Sequence, residues 1–479
     1  MKGKKKTSGR ASAWAAGLEA GLAAALLLFL AGCAPLLYSL SRPAAEARAG
    51  SRAGASAAAP ADSTPADGSG ASAAASPSAA SSAADGSGTV GDAGASPGAS
   101  PTAAPADDEP LPYRAIWLSY LEWQGADFSS ETGFTAWLTP VLDNCAALGI
   151  RTVIAQVRPF GDALYPSKLF PFSHLCTGVQ GVDPGFDPLA VLLAAAKARG
   201  LRVEAWINPY RLSAGGIPGV LADTGLAATH PDWVKTVGGG QYLDPALPAV
   251  QEYIAAGVAE LCQNYAVDAV QFDDYFYPTT DAAFDETSYA AYRAGAGGQP
   301  LPLADWRRRN VNDLIGLCWR TVHKTPGVAF GVAPQGNPDN NYAAQYSDAA
   351  LWLREPGYVD YLLPQLYWGQ QYRSGGADRF ALGNIAAEWL ALPRAESVRL
   401  YFGLGAFRLG EGDGSAPAND EWQSGHALAD QTALLAGLGA DGAAYYRYAS
   451  LFDNPARAEL AAQERENLSQ MLSDGNFHL

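Results

Sequence analysis

Polar and apolar positions along the chain fall into two regimes that meet near Leu111. Beyond it, short branched-aliphatic or aromatic runs alternate with longer stretches of helical spacing, the mark of repeated βα units on a parallel sheet. Eight strands are expected: Arg114 to Ser119, Thr152 to Val157, Arg202 to Ile207, Ala269 to Phe272, Val328 to Ala333, Tyr361 to Pro364, Arg399 to Gly403 and Gly442 to Tyr446. Helical patterns lie near Phe134 to Leu148, Pro188 to Arg199, Pro248 to Tyr265, Asp305 to His323, Ser347 to Arg354, Ala377 to Leu390, Glu421 to Leu438 and Pro455 to Leu472. Eight such units in succession predict a closed (β/α)8 barrel of the TIM type. The alternative, an open doubly wound sheet, requires a glycine-rich turn after its first strand, and Ser119-Tyr120-Leu121-Glu122-Trp123 contains no glycine.

Before Leu111 the pattern is lost. Pro43 to Asp108 is almost entirely Ala, Ser, Gly, Pro and Asp without one aromatic residue, too little apolar surface to offset the entropy of ordering. Ahead of it, Lys2, Lys4, Lys5, Lys6 and Arg10 precede an apolar run from Ala20 to Ala31 and then Leu30-Ala31-Gly32-Cys33. This is the layout of a secretion signal, and the run is too short to span a bilayer. The last four residues resemble a bacterial lipobox, which implies cleavage before Cys33 and lipidation of its thiol; an uncleaved anchor extended toward Leu40 is the alternative. Either one exports the protein and tethers it to a membrane. The expected organisation is a signal peptide at 1–32, a disordered tether at 33–110 and a barrel at 111–479.

Composition narrows the partners. The barrel segment holds all but two (Trp14 and Tyr38) of the 12 Trp and 22 Tyr residues, enough for a large core. The formal charge of the chain is -16, and the basic leader, if removed, leaves it more acidic still. Such a chain suits a neutral polymer such as a glycan better than nucleic acid or anionic lipid. Cys145, Cys176, Cys262 and Cys318 form no CxxC pair, and His174, His230, His323, His426 and His478 make no metal motif, so neither a metal nor an organic cofactor is expected. Cys145, Cys262 and Cys318 fall in helical patterns as small core residues, and although four thiols allow three disulfide connectivities, none is expected.

Barrel chemistry gathers at the C-terminal ends of the strands. Residues at those ends are Trp117 and Tyr120; Gln156, Arg158 and Asp162; Asn208, Tyr210 and Arg211; Asp273, Asp274 and Tyr275; Gln335 and Asn337; Gln365, Tyr367 and Trp368; Phe407 and Arg408; and Arg447. Amides, carboxylates and guanidinium groups hydrogen-bond sugar hydroxyls, and Trp and Tyr rings stack on sugar C–H faces. The clearest signal is Gln271-Phe272-Asp273-Asp274-Tyr275-Phe276-Tyr277, an alternating strand ending in two acids. Alternation puts Asp273 on the inward face of Gln271, whereas Asp274 reaches the cleft only if the strand has turned. Glycoside hydrolysis needs a second carboxyl, and adjacent like charges raise one pKa and so keep a proton available. Asp162, Glu204 and Asp244 are further candidates for that second group, with Glu204 expected to point into the barrel.

Several stretches resemble the bacterial glycosyl hydrolase-like family 10. They are Arg114-Ala115-Ile116-Trp117-Leu118, Gln156-Val157-Arg158-Pro159 followed by Gly161 to Ser167, Gly185 to Leu189, Ala205 to Arg211, Leu243-Asp244-Pro245, Asp273 to Tyr277, Asp305 to Arg308 and Pro364 to Trp368. The resemblance implies a barrel, export and action on cell-wall glycan strands. Asp273 is expected as acid or nucleophile, supported by Asp274 or Asp162. Trp117, Gln156, Arg158, Asn208, Tyr210, Arg211, Asp244, Tyr275, Gln365, Tyr367 and Trp368 are expected to hold the sugar. A barrel that binds glycan without cleaving it, as a scaffold for envelope assembly, is the competing expectation.

Overall fold

The computed structural model of the protein describes residues 113–415 and 421–473; the expected signal peptide and tether, Cys33 included, lie outside them. Eight parallel strands follow in chain order: β1 (Tyr113–Leu118), β2 (Thr152–Arg158), β3 (Arg202–Ile207), β4 (Ala269–Phe272), β5 (Ala329–Val332), β6, β7 and β8 (Gly442–Tyr445). Strand β6 comes in two pieces, Tyr361–Leu362 and Gln365–Leu366, interrupted at Pro364, which has no N–H to give a ladder. Strand β7 is likewise split into Arg399–Leu400 and Phe402–Leu404. The first pieces of β6 and β7 pair with each other, as do the second pieces; β6 also pairs with β5, β7 with β8, and β8 with β1. The ring is therefore closed, as expected for a (β/α)8 barrel.

Every strand lies at or within a few residues of its expected position. The helices Glu131–Leu148, Pro188–Lys197, Pro248–Asn264 and Leu303–Val322 also match their patterns. Two insertions were not expected. One is an antiparallel sheet of Arg211–Ser213, Val234–Val237 and Gly240–Leu243, and the other is the helix Glu286–Gly295.

Period-two alternation splits the apolar residues of the strands between two cores. Outward residues such as Val153, Val203, Val270 and Phe330 pack under the helices, while Tyr113, Ala115, Trp117, Ile154, Trp206, Tyr361, Leu363 and Ala444 fill the barrel. Two glycines make room for the interior rings: a Cβ on Gly331 would lie 2.0 Å from the Tyr361 ring, and one on Gly403 2.9 Å from that of Trp117. Glu204 does point inward. Its Oε2 accepts from the hydroxyls of Tyr113 at 3.0 Å and Tyr361 at 2.5 Å. Gln271 continues the network, donating to the Tyr361 hydroxyl at 3.2 Å and accepting from Trp117 Nε1 at 3.0 Å. Burial pushes the Glu204 carboxyl up to about 7 against the pull of the two hydroxyls.

At the opposite, N-terminal face, three aspartates repeat one arrangement. Asp268, Asp360 and Asp441 precede β4, β6 and β8, and each accepts, at 2.7 Å, a backbone N–H of the strand before: Val203 in β3, Phe330 in β5 and Leu400 in β7. Each also faces a basic side chain: Arg202 for Asp268, His323 for Asp360, and Arg394 and Arg399 for Asp441.

Candidate active site

Strand β4 ends at Phe272, and the chain leaves it through Asp273 and Asp274, both buried at the mouth of the barrel. Asp273 keeps the inward alternation of Ala269 and Gln271. Its Oδ2 accepts from Asn208 Nδ2 at 2.5 Å and from Trp206 Nε1 at 3.1 Å, and its Oδ1 from the Tyr275 backbone at 3.3 Å. Asn208 and Trp206 are themselves consecutive inward positions at the end of β3, so the contact follows from strand register. Asp274 accepts from Gln365 Nε2 at 3.3 Å; that amide also donates to the Ala333 carbonyl at 2.8 Å.

Burial and the negative charge of Asp274 push the Asp273 carboxyl up to about 7, opposed by Arg211 and by the donors Tyr275 and Asn208. Burial raises Asp274 as well, against donation from Gln335 and Gln365 and the charge of Arg211. A carboxyl that titrates near neutrality can supply a proton at physiological pH.

A cluster of aromatic rings lies beside the pair, Tyr275, Tyr367 and Tyr446 among them. The Tyr446 ring lies 5.9 Å from Trp117, 6.5 Å from Trp206, 5.8 Å from Tyr367 and 6.0 Å from Phe407. Trp368 stacks on Phe380 at 4.9 Å. Tyr275 is 45% exposed, the most open ring of the group. Arg211 lies over it at 5.4 Å and over Phe160 at 4.8 Å, held by an Nε bond of 2.8 Å to the Pro159 carbonyl.

Asp273, Asp274, Asn208, Arg211, Tyr275, Gln365 and Tyr367 thus gather at one mouth. Other expected contacts are placed differently. Trp117 is buried within the barrel and bonded to Gln271, beneath the Tyr446 ring. Gln156 is buried with both ends of its amide engaged by protein, Oε1 by the Tyr120 N–H and Nε2 by Asn208. A register shift between Gln156 and Arg158 reverses the alternation of β2. The Arg158 guanidinium accordingly sits over the Phe170 ring at 3.5 Å in the outer core. Tyr210 belongs to that core too, its buried hydroxyl without a protein partner.

Two expected acids serve loops. Asp162 Oδ2 accepts from the His174 backbone N–H at 3.3 Å and from Gln180 Nε2, and pairs with His174 Nδ1, both at 3.1 Å. Asp244 accepts from the Ala246 N–H at 3.0 Å and the Ser288 hydroxyl at 2.6 Å, with Lys235 at 3.7 Å. The loop leaving β4 is pinned by buried Arg307, which bonds both oxygens of Asp285 and the carbonyls of Thr280 and Asp281. Cys145, Cys176, Cys262 and Cys318 are free and buried. Among the described residues, no group of three or more His, Cys, Asp or Glu could hold a metal ion.

Trp206 and Tyr446 were not among the expected contacts. Trp206 was legible, since alternation in Ala205-Trp206-Ile207-Asn208 puts it on the face of Asn208. Tyr446 was obscured by its place as the last residue of an apolar strand.

The chain is similar to several known proteins. The chain is 36% identical over 345 residues to the glycosyl hydrolase DigH of Escherichia coli strain K12, covering 64% of this chain and 76% of that protein. It is 33% identical over 316 residues to the glycosyl hydrolase YngK of Bacillus subtilis strain 168, covering 62% and 61%. The glycoside hydrolase domain of PgaB (BpsB) from Bordetella bronchiseptica superposes with a TM-score of 0.47 at 17% identity, over 75% of this chain and 99% of that one. The family model for glycosyl hydrolase-like 10 matches residues 112–422. With that match spanning most of the barrel, the chain belongs to the glycosyl hydrolase-like 10 family.

Proposed function

We propose that the protein is a glycoside hydrolase of bacterial cell-wall glycan strands, exported and held at a membrane by a lipid on Cys33. The observation that carries the reading is the buried Asp273 and Asp274 pair at the end of β4, one carboxyl near neutrality, beside a cluster of aromatic side chains. Asp273 gives its proton to the glycosidic oxygen as the bond to the anomeric carbon breaks and its electron pair leaves with that oxygen. Ionised Asp274 stabilises the positive charge that develops on the sugar; water then adds its hydroxyl to the anomeric carbon and its remaining proton returns to Asp273, which restores the acid. Asp162 is set aside as the second group because His174 and Gln180 occupy its Oδ2. Tyr275, Tyr367 and Trp368 offer faces to the sugar, with Arg211 and Gln365 as polar contacts.

The deciding experiment incubates the purified protein with peptidoglycan, peptide-free glycan strands and chitin-type oligosaccharides, reading products by mass spectrometry. New reducing ends are expected from the cell-wall glycans. Asp273→Asn keeps the shape and removes the titratable group, so it should abolish turnover while binding persists, a loss of about 10²- to 10⁴-fold. Undiminished activity in that variant overturns the assignment. Binding without cleavage by the unaltered protein would favour a scaffolding barrel. For the anchor, Cys33→Ala should lose labelling by a fatty-acid probe, and retained labelling removes the lipid.

A further inference from the structure

Gln156 is 1% exposed and cannot reach a sugar, yet it stands two bonds from the acid. Its Oε1 accepts from the backbone N–H of Tyr120 at 2.8 Å. A backbone amide only donates, so this contact decides which end of the carboxamide is oxygen. The Gln156 nitrogen then faces Asn208 and donates to its Oδ1 at 2.6 Å. That contact in turn directs the Asn208 nitrogen at Asp273 Oδ2, at 2.5 Å. The indole of Trp206, which also only donates, reaches the same oxygen at 3.1 Å. Oδ2 is thus met by two donors and no acceptor, whereas Oδ1 meets only the Tyr275 backbone N–H at a long 3.3 Å, which leaves Oδ1 as the atom on which a neutral Asp273 holds its proton.

We infer that Gln156 is a positioning residue: through Asn208 it fixes the polarity of the hydrogen bonds at Asp273 and so places the acid's proton on Oδ1. The inference rests on Asp273 as the proton donor proposed above. It adds that one backbone amide, in the loop after β1, sets the direction of a side-chain chain crossing β2, β3 and β4. The other charged or titratable groups around Asp273 are Asp274 and Tyr275 on its own segment, Arg211 after β3, Tyr367 after β6 and Tyr446 after β8. None of them contributes to the Tyr120, Gln156, Asn208 chain.

The test is Gln156→Glu. One carboxylate oxygen still accepts from Tyr120, but the other accepts where the amide donated, so Asn208 must turn its nitrogen away and present its oxygen to Asp273. Oδ2 then carries the proton, and Oδ1 becomes the carbonyl. Difference infrared spectroscopy across a pH titration, with the Asp273 band assigned by its loss in Asp273→Asn, reads this directly. A carbonyl accepting two hydrogen bonds absorbs at lower frequency than one accepting a single long bond, so the band should move up in Gln156→Glu. Where the glycan is cleaved, kcat should fall about 10²-fold with KM nearly unchanged, and the alkaline limb of the rate profile should move to higher pH. An unmoved band with an unmoved alkaline limb overturns the inference. If Gln156→Glu does not fold, Gln156→Met, which frees Asn208 to adopt either orientation, should split or broaden the band; a wild-type band there also overturns it. If the unaltered protein cleaves no glycan but the band shifts as stated, the positioning role stands and the hydrolase reading alone falls.

Discussion

Asn208 donates to Asp273 Oδ2 at 2.5 Å across the mouth of the barrel, from the strand beside the one that carries the acid. A donor to a carboxylate favours its ionised form, so this bond restrains a carboxyl that burial drives upward. In Asn208→Leu that restraint is gone. The Asp273 carboxyl should rise further, moving the alkaline limb of kcat/KM to higher pH by about one to two units, the equivalent of one charged hydrogen bond. A limb that stays in place would show that the bond does not control the acid.

Asp274 acts in the opposite sense, because its charge raises Asp273. Asp274→Asn should lower the Asp273 carboxyl, shift the alkaline limb to lower pH and reduce kcat through loss of the negative charge that steadies the transition state. Rate profiles of the two single variants should therefore move in opposite directions.

Glu204 predicts a dependence of stability on pH. Its carboxyl is raised to about 7 in the folded barrel and reverts to an ordinary value near 4.5 on unfolding. Between those values the folded state holds a proton that the unfolded chain releases, so stability is fullest below this window and declines as pH rises through it. The raised carboxyls of Asp273 and Glu464 have the same sign. Glu204→Gln keeps partners for Tyr113 and Tyr361 without the ionisation and should flatten the decline by up to about 3 kcal/mol. Chemical denaturation at a series of pH values measures it, and an unchanged slope would place the titration elsewhere.

Trp368 is half-buried against Phe380, with Tyr372 at 6.0 Å, on the loop that follows β6. Trp368→Ala should raise KM for a glycan about tenfold, as expected for one lost stacking surface, while kcat changes little. A fall confined to kcat would instead implicate the ring in the chemistry.

The barrel could be read from the sequence because its strands are apolar on both faces and its helices carry an apolar stripe. Short elements that bury little stayed hidden. Helix Glu286–Gly295 buries no residue fully and rests on the barrel through Tyr289 and Tyr292 against Trp306, and the strands Val234–Val237 and Gly240–Leu243 are largely half-exposed. Within the site, the period of two placed Asp273, Asn208 and Glu204 on the inward face. It failed at Arg158, where a bulge after Gln156 turns the guanidinium into the outer core. A bulge leaves no mark in the order of apolar residues.

The three aspartates at the N-terminal face divide the ring into pairs. Their bonds join β3 to β4, β5 to β6 and β7 to β8 over only 65, 30 and 41 residues of chain, none of them crossing from one pair to the next. Each pair can be latched while the ring is still open, so the last and most distant pairing, β8 to β1, is asked to close a barrel already assembled from local parts. The same latches lie at the end away from Asp273, which leaves the loops at the mouth free to diverge in length and chemistry without loosening the frame that aims the acid.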